Sequence, residues 1–194
     1  MPDNLVLVGF SCSGKTTLGR NVARRLRMPF VDSDRLIEET TGRTIPEIFR
    51  DDGEAVFRRH EREALEQILS EANQVVSTGG GAFVDPSNRD LLRDGNLVIH
   101  LQVRPETVVD RLRNSRSGRP RPLLEHPDPL QRVIDLMADR KTAYAAAHVT
   151  IGVDDRSRYE IVGELRRRWL AWQRAHHPGE AEGEPLSSTA PVAR

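Results

Sequence analysis

One stretch, Gly9-Phe10-Ser11-Cys12-Ser13-Gly14-Lys15-Thr16-Thr17, limits what this chain can become more than any other. From Gly9 to Thr16 it fits the spacing G-x-x-x-x-G-K-[ST], a turn that cradles phosphate. The apolar run Leu5-Val6-Leu7-Val8 precedes it and reads as a buried parallel strand. Leu18, Val22 and Leu26 follow at helical spacing. Strand, glycine-rich turn and helix therefore come in the order that phosphate binding requires. Glycines let successive N–H groups turn toward one anion, and the new helix adds the positive end of its dipole. Lys15 would neutralise the outer phosphates, and the Thr16 hydroxyl suits Mg2+. Lys15 and Lys141 are the only lysines among 29 basic residues, so a lysine here points to a need for a compact ammonium.

Composition narrows the function classes. The 194 residues suit one domain, expected over residues 1–175. A formal net charge of zero argues against a general polyanion binder, so no nucleic-acid partner is expected. A single cysteine excludes an intramolecular disulfide and a cysteine metal cluster, and fits a reducing cytoplasm. No apolar run approaches the ~20 residues that span a bilayer. The N-terminus passes almost directly into the first strand, so no leader and no membrane partner are expected.

The chain then alternates strand and helix, an α/β pattern. Pro29-Phe30-Val31-Asp32 reads as a short strand ending in the carboxylates Asp32 and Asp34. At a strand's C-terminal end Asp32 is placed to orient a Mg2+ water shell, with Asp34 displaced toward a second substrate. The competing reading is that Asp32 or Ser33 only caps the helix that follows. Gly42 stops that helix, and Thr44 caps a short one carrying Pro46. A long helix from Glu54 to about Glu71 carries Phe57-Arg58-Arg59 near its start. Val75-Val76-Ser77-Thr78 is a strand running into Gly79-Gly80-Gly81, which serve either positive φ or a very close approach of a ligand to backbone, with a plain flexible loop as the competing reading. Pro86 to Arg93 is a helix, and Leu97 to Leu101 a strand, with His100 on the sheet face. Another helix follows, Glu106 to Arg113.

Residues 113–124 set four arginines among Gly, Pro and Ser, and read as a mobile cationic lid. Pro129 to Ala147 is a long helix with Arg140 and Tyr144 on one face, at i and i+4. Val149 to Val153 is the last strand and Tyr159 to about Ala175 the last helix. Residues 176–194 lose periodicity and read as a disordered tail.

This ordered set of motifs resembles the shikimate kinases, a family of small P-loop kinases. The resemblance covers about residues 4–170. It rests on the phosphate loop, Asp32-x-Asp34, Phe57-Arg58, Gly79-Gly80-Gly81, Arg121-Pro122-Leu123-Leu124, and Arg140 with Tyr144. It implies a P-loop kinase fold with a five-stranded parallel sheet of order 2-3-1-4-5, flanked by helices. It implies ATP-dependent phosphorylation of the shikimate 3-hydroxyl, on the route to chorismate and aromatic amino acids, by a monomer using one Mg2+ ion. Carried over residue by residue, it implies that Cys12, Ser13, Gly14, Lys15, Thr16 and Thr17 bind the nucleotide with Arg121 and Arg156. Asp34, Arg58, Gly79, Gly80, Gly81 and Arg140 would bind shikimate, and Thr16 and Asp32 the metal. Lys15, Asp34 and Arg121 would be catalytic.

Three departures from the family pattern stand out. Cys12 occupies a position usually held by Gly or Ala, and its thiol at a helix N-terminus is expected to be modifiable unless ATP shields it. The lid leaves the adenine-stacking arginine open between Arg113 and Arg116. The loop Asp155-Arg156-Ser157-Arg158 lacks the family's proline. Two other readings compete: a different small-acid kinase on the same fold, such as a gluconate kinase, and a regulatory module that binds ATP without turnover.

Overall fold

The computed structural model describes residues 3–114 and 126–177. The proposed lid therefore lies almost wholly outside the described residues, Arg116 and Arg121 included, and so do residues 178–194. Five strands form one parallel sheet: β1 Leu5–Val8, β2 Phe30–Asp32, β3 Val75–Ser77, β4 Leu97–Gln102 and β5 Val149–Gly152. Their order is β2-β3-β1-β4-β5, as the resemblance implied. The central strand β1 pairs Leu5 with Val75 on one side and with Leu97 on the other. The chain moves outward from β1 to β2, returns through β3, then crosses to β4. Such a reversal opens a crevice beyond the carboxyl ends of the central strands.

Side-chain alternation builds the two faces. Leu5, Leu7, Ile99, Leu101 and Ile151 point to one face. There they meet α1 (Lys15–Leu26), α6 (Pro105–Asn114) and α8 (Arg158–His176) through Leu18, Val22, Val108, Ile161 and Leu165. Val6, Val8, Val76 and Val98 point to the other face. There they meet Leu65 and Ile68 of α4 (Glu54–Leu69), Leu92 of α5 (Pro86–Arg93) and Tyr144 of α7 (Pro129–Ala145). All four β1 side chains are fully buried, which explains the unbroken apolar run before the phosphate loop. A smaller cluster of Ile37, Ile48, Phe57 and Ala64 joins α2 (Ser33–Thr41), α3 (Ile45–Asp51) and α4.

Local signals explain the element ends. Thr44 and Glu47 form a capping box at α3, with Pro46 in its first turn. Gly42 closes α2 in the left-handed conformation. Several boundaries differ from the sequence reading by a residue or two; α7, for one, ends at Ala145 and not Ala147. Helix α4 stops at Leu69, before Glu71. Helix α8 runs one residue past the expected 175, and the ring of His177 then pairs with the Asp3 carboxylate beside the start of β1. A long-range contact of this kind leaves no periodic trace in sequence.

Candidate active site

The phosphate loop follows directly from β1. At Gly9, φ is +144° and an added Cβ would lie 2.6 Å from the Leu101 carbonyl oxygen, so only glycine fits. Cys12 also has positive φ, at +61°, unusual for a residue with a side chain. The Lys15 ammonium donates to the carbonyls of Gly9 at 2.8 Å and Phe10 at 2.9 Å, closing over its own loop. Burial pulls its pKa down to about 8, opposed by the charges of Asp34 and Asp32. The buried Ser13 hydroxyl has no partner among the described residues, an orphaned polar atom within the phosphate cradle.

Asp32 takes the capping role that the sequence offered as one alternative, and its other oxygen turns to the phosphate loop. It caps α2, with Oδ1 accepting from the Arg35 amide at 3.4 Å, and its Oδ2 accepts from the Thr16 hydroxyl at 2.8 Å. A hydroxyl and a carboxylate side by side are the hard oxygens that suit Mg2+. No group of three or more His, Cys, Asp or Glu able to hold a metal occurs among the described residues.

Asp34 lies in the first turn of α2, and burial together with the Asp32 charge raises its pKa to about 6. The triple glycine explains how it is placed. None of the three has positive φ, so the first sequence alternative is set aside, and the close approach seen here is not that of a ligand. The approaching groups are the protein's own side chains. A Cβ on Gly79 would lie 2.6 Å from Asp34 Oδ1, one on Gly80 2.9 Å from Ser11 Oγ, and one on Gly81 3.1 Å from the Arg58 guanidinium. Ser33, the other cap candidate, lies inside α2 instead, and its buried hydroxyl accepts from the Gly79 amide at 3.0 Å and ties α2 to this turn.

The two arginines flank the same turn from different helices. Arg58 on α4 sits against Gly81, bridged to Glu61 at 2.8 Å and Glu54 at 2.9 Å. Arg140 on α7 donates to the Gly80 carbonyl at 3.1 Å, and its guanidinium carbon lies 5.1 Å from the centre of the Phe10 ring. Tyr144 donates to that same carbonyl at 2.7 Å, so the shared helical face expected of this pair has one target. Sequence reasoning missed Glu61. It is 1% exposed, its pKa is raised by burial against the pull of Arg58, and it orients the guanidinium. Its only sequence signal was the i, i+3 spacing from Arg58.

Two cavities meet at the loop. One, of about 270 Å3, is lined by Lys15, Thr16, Asp32, Asp34, Thr78 and Gly80. The other, of about 480 Å3, lies beside Gly14, Thr17, Arg111, Val153, Arg156 and Ile161. Arg156 lines it while bridged to Glu164 at 2.8 Å. Arg111, also unanticipated, donates to the Cys12 carbonyl at 2.8 Å and braces the strained loop. Arg113 is exposed at the end of α6. An ammonium, a carboxylate titrating near neutrality and two guanidiniums around adjoining cavities can take a polyanion on one side and a small hydroxylated acid on the other.

Known proteins resemble this chain over most of its length. The profile of the family described as shikimate kinase matches residues 11–169. The shikimate kinase of Symbiobacterium thermophilum is 48% identical over 166 residues, covering 85% of this chain and 95% of that protein. That of Moorella thermoacetica is 41% identical over 172 residues, covering 89% and 97%. Among solved structures, shikimate kinase from Acinetobacter baumannii in complex with shikimate has a TM-score of 0.81 at 34% identity, covering 89% of this chain and 96% of that one. A gluconokinase from Sinorhizobium meliloti has a TM-score of 0.58 at 19% identity, a likeness of fold alone.

Proposed function

Because the chain belongs to the shikimate kinase family, we propose that it transfers the γ-phosphoryl group of ATP to the 3-hydroxyl of shikimate, giving shikimate 3-phosphate and ADP. The observation that carries this reading is the placement of Arg58 and Arg140 at Gly81 and Gly80, with Asp34 against Gly79, beside the Lys15 loop. Two guanidiniums suit a carboxylate through charge-assisted bonds. Asp34 accepts from the hydroxyls of the acid. With its pKa near 6 it is poised to take the proton of the attacking oxygen.

Lys15 releases its hold on the Gly9 and Phe10 carbonyls and turns to the phosphates, whose charge restores its full protonation. The loop amides from Cys12 to Thr17 cradle those phosphates, and Arg156 borders the cavity for the remainder of the nucleotide. Arg121, outside the described residues, supplies lid charge in this reading. Thr16 and Asp32 would hold Mg2+, which when bound neutralises phosphate charge. Catalysis then rests on positioning and charge stabilisation.

The chain is read as a cytoplasmic monomer over residues 1–175 that acts on ATP and shikimate. No helix among the described residues is long and apolar enough to cross a membrane. The test is ADP release from Mg-ATP on adding shikimate, compared with gluconate and nucleoside monophosphates. Release with shikimate alone supports the reading. Equal release with gluconate, or ATP binding without turnover, would defeat it in favour of the two rivals.

A further inference from the structure

A groove of about 640 Å3, larger than either cavity of the crevice, lies between α7 and the β4–β5 face of the sheet. Its size falls within the range of small-molecule sites, roughly 300–1,000 Å3, which are mainly apolar with a few polar groups. Phe10, Met137 and Tyr144 supply apolar lining, and His100, Gln102 and Lys141 the polar groups. The His100 and Tyr144 rings stack at 4.6 Å and 8°. Burial lowers the His100 pKa to about 4, so this wall is neutral near pH 7.

The charge pattern selects the ligand. Lys141, the chain's second lysine, makes no ion pair or hydrogen bond with any described residue. Arg104 is taken up by Asp155 at 2.9 Å. Asp154, the groove's carboxylate, accepts from the Arg104 amide at 2.9 Å. One ammonium over apolar walls suits a single carboxylate on a flat apolar body. A polyphosphate would want more cations, and a cationic ligand would meet Lys141.

The groove also touches the acid site. Its wall residue Tyr144 holds the Gly80 carbonyl, and its wall residue Phe10 lies under the Arg140 guanidinium. We propose that this groove is a second ligand site, for a small aromatic monocarboxylate, and that its occupant acts on the acid site through Tyr144 and Phe10. The inference goes beyond the kinase reading, and its binding arm reports on the groove whether or not shikimate is turned over.

The probe is 2-naphthoate, followed by its own fluorescence. It is titrated into the full chain in the presence of saturating shikimate and Mg-ADP, which fill the crevice and permit no turnover. The expected result is saturable one-to-one binding, weakened at least tenfold by Lys141→Glu and by Ala138→Trp, which fills the groove. In turnover assays, saturating naphthoate is expected to shift the shikimate KM at least threefold in the unsubstituted protein and not in Lys141→Glu. Both substituted side chains are exposed, so the fold is retained, and unchanged turnover without naphthoate checks this. Absence of binding, displacement of naphthoate by shikimate, equal affinity in both variants, or an unmoved KM would overturn the proposal.

Discussion

In the proposed reaction, Lys15 and Asp34 set the pH window of the site. Asp34 must be ionised to take a proton, and its pKa is raised to about 6, so activity is lost as pH falls through that value. Lys15 must be protonated to receive phosphate, and in the ligand-free protein its pKa is lowered to about 8, so activity is lost as pH rises through that value. A profile of kcat/KM should therefore be bell-shaped with limbs near these two values, whereas bound phosphate moves the alkaline limb of kcat upward. A flat profile from pH 5 to 9 would contradict both assignments. Arg58→Ala or Arg140→Ala should raise the shikimate KM by about 2–4 kcal/mol of lost binding, with the ATP KM little changed. Glu61→Ala should mimic Arg58→Ala in steady-state kinetics, because Arg58 then keeps only the 67%-exposed Glu54 as partner. Tyr144→Phe removes one of two donors to Gly80 and should raise the shikimate KM more than it lowers kcat.

At the scale of elements, the start of α2 and the end of β3 depend on each other. Asp32 caps the helix and reaches Thr16, and these roles separate by substitution. Asparagine caps as well as aspartate but is a poor Mg2+ ligand. Asp32→Asn should thus keep thermal stability, while turnover at fixed Mg2+ drops at least tenfold; Asp32→Ala should also lose about 1 kcal/mol of stability. An equal stability loss in both variants, measured by urea unfolding, would argue against the cap. Gly79→Ala puts a methyl group where Asp34 Oδ1 stands, so kcat should fall even though the backbone there needs no positive φ.

For the whole molecule, the crevice joins parts far apart in the chain: the loop at 9–17, α2, α4, the glycine turn and α7. Ligands that bind only this assembly stabilise all of it. At a hundred times their dissociation constants, Mg-ADP or shikimate should each add about 2.7 kcal/mol, a rise of several degrees in melting temperature by scanning calorimetry. Much of this architecture was legible beforehand, for identifiable reasons. The buried β1 run, the capping signals of α3 and the left-handed stop at Gly42 are local, and local chemistry repeats along any chain. The glycine triplet announced a close approach without revealing what approached, since Asp34, Ser11 and Arg58 come from three other elements. Glu61 looked like one more charge on a solvated helix, and Arg111 like one more arginine before the lid. Their importance lies in burial and in contacts made across 3 and 99 positions. By itself the sequence determined the order of strands and helices and the phosphate loop, because spacing and backbone chemistry are written residue by residue. Only tertiary structure decided which groups share a carbonyl, which charges are buried and where a second groove opens, because those are properties of the space between elements.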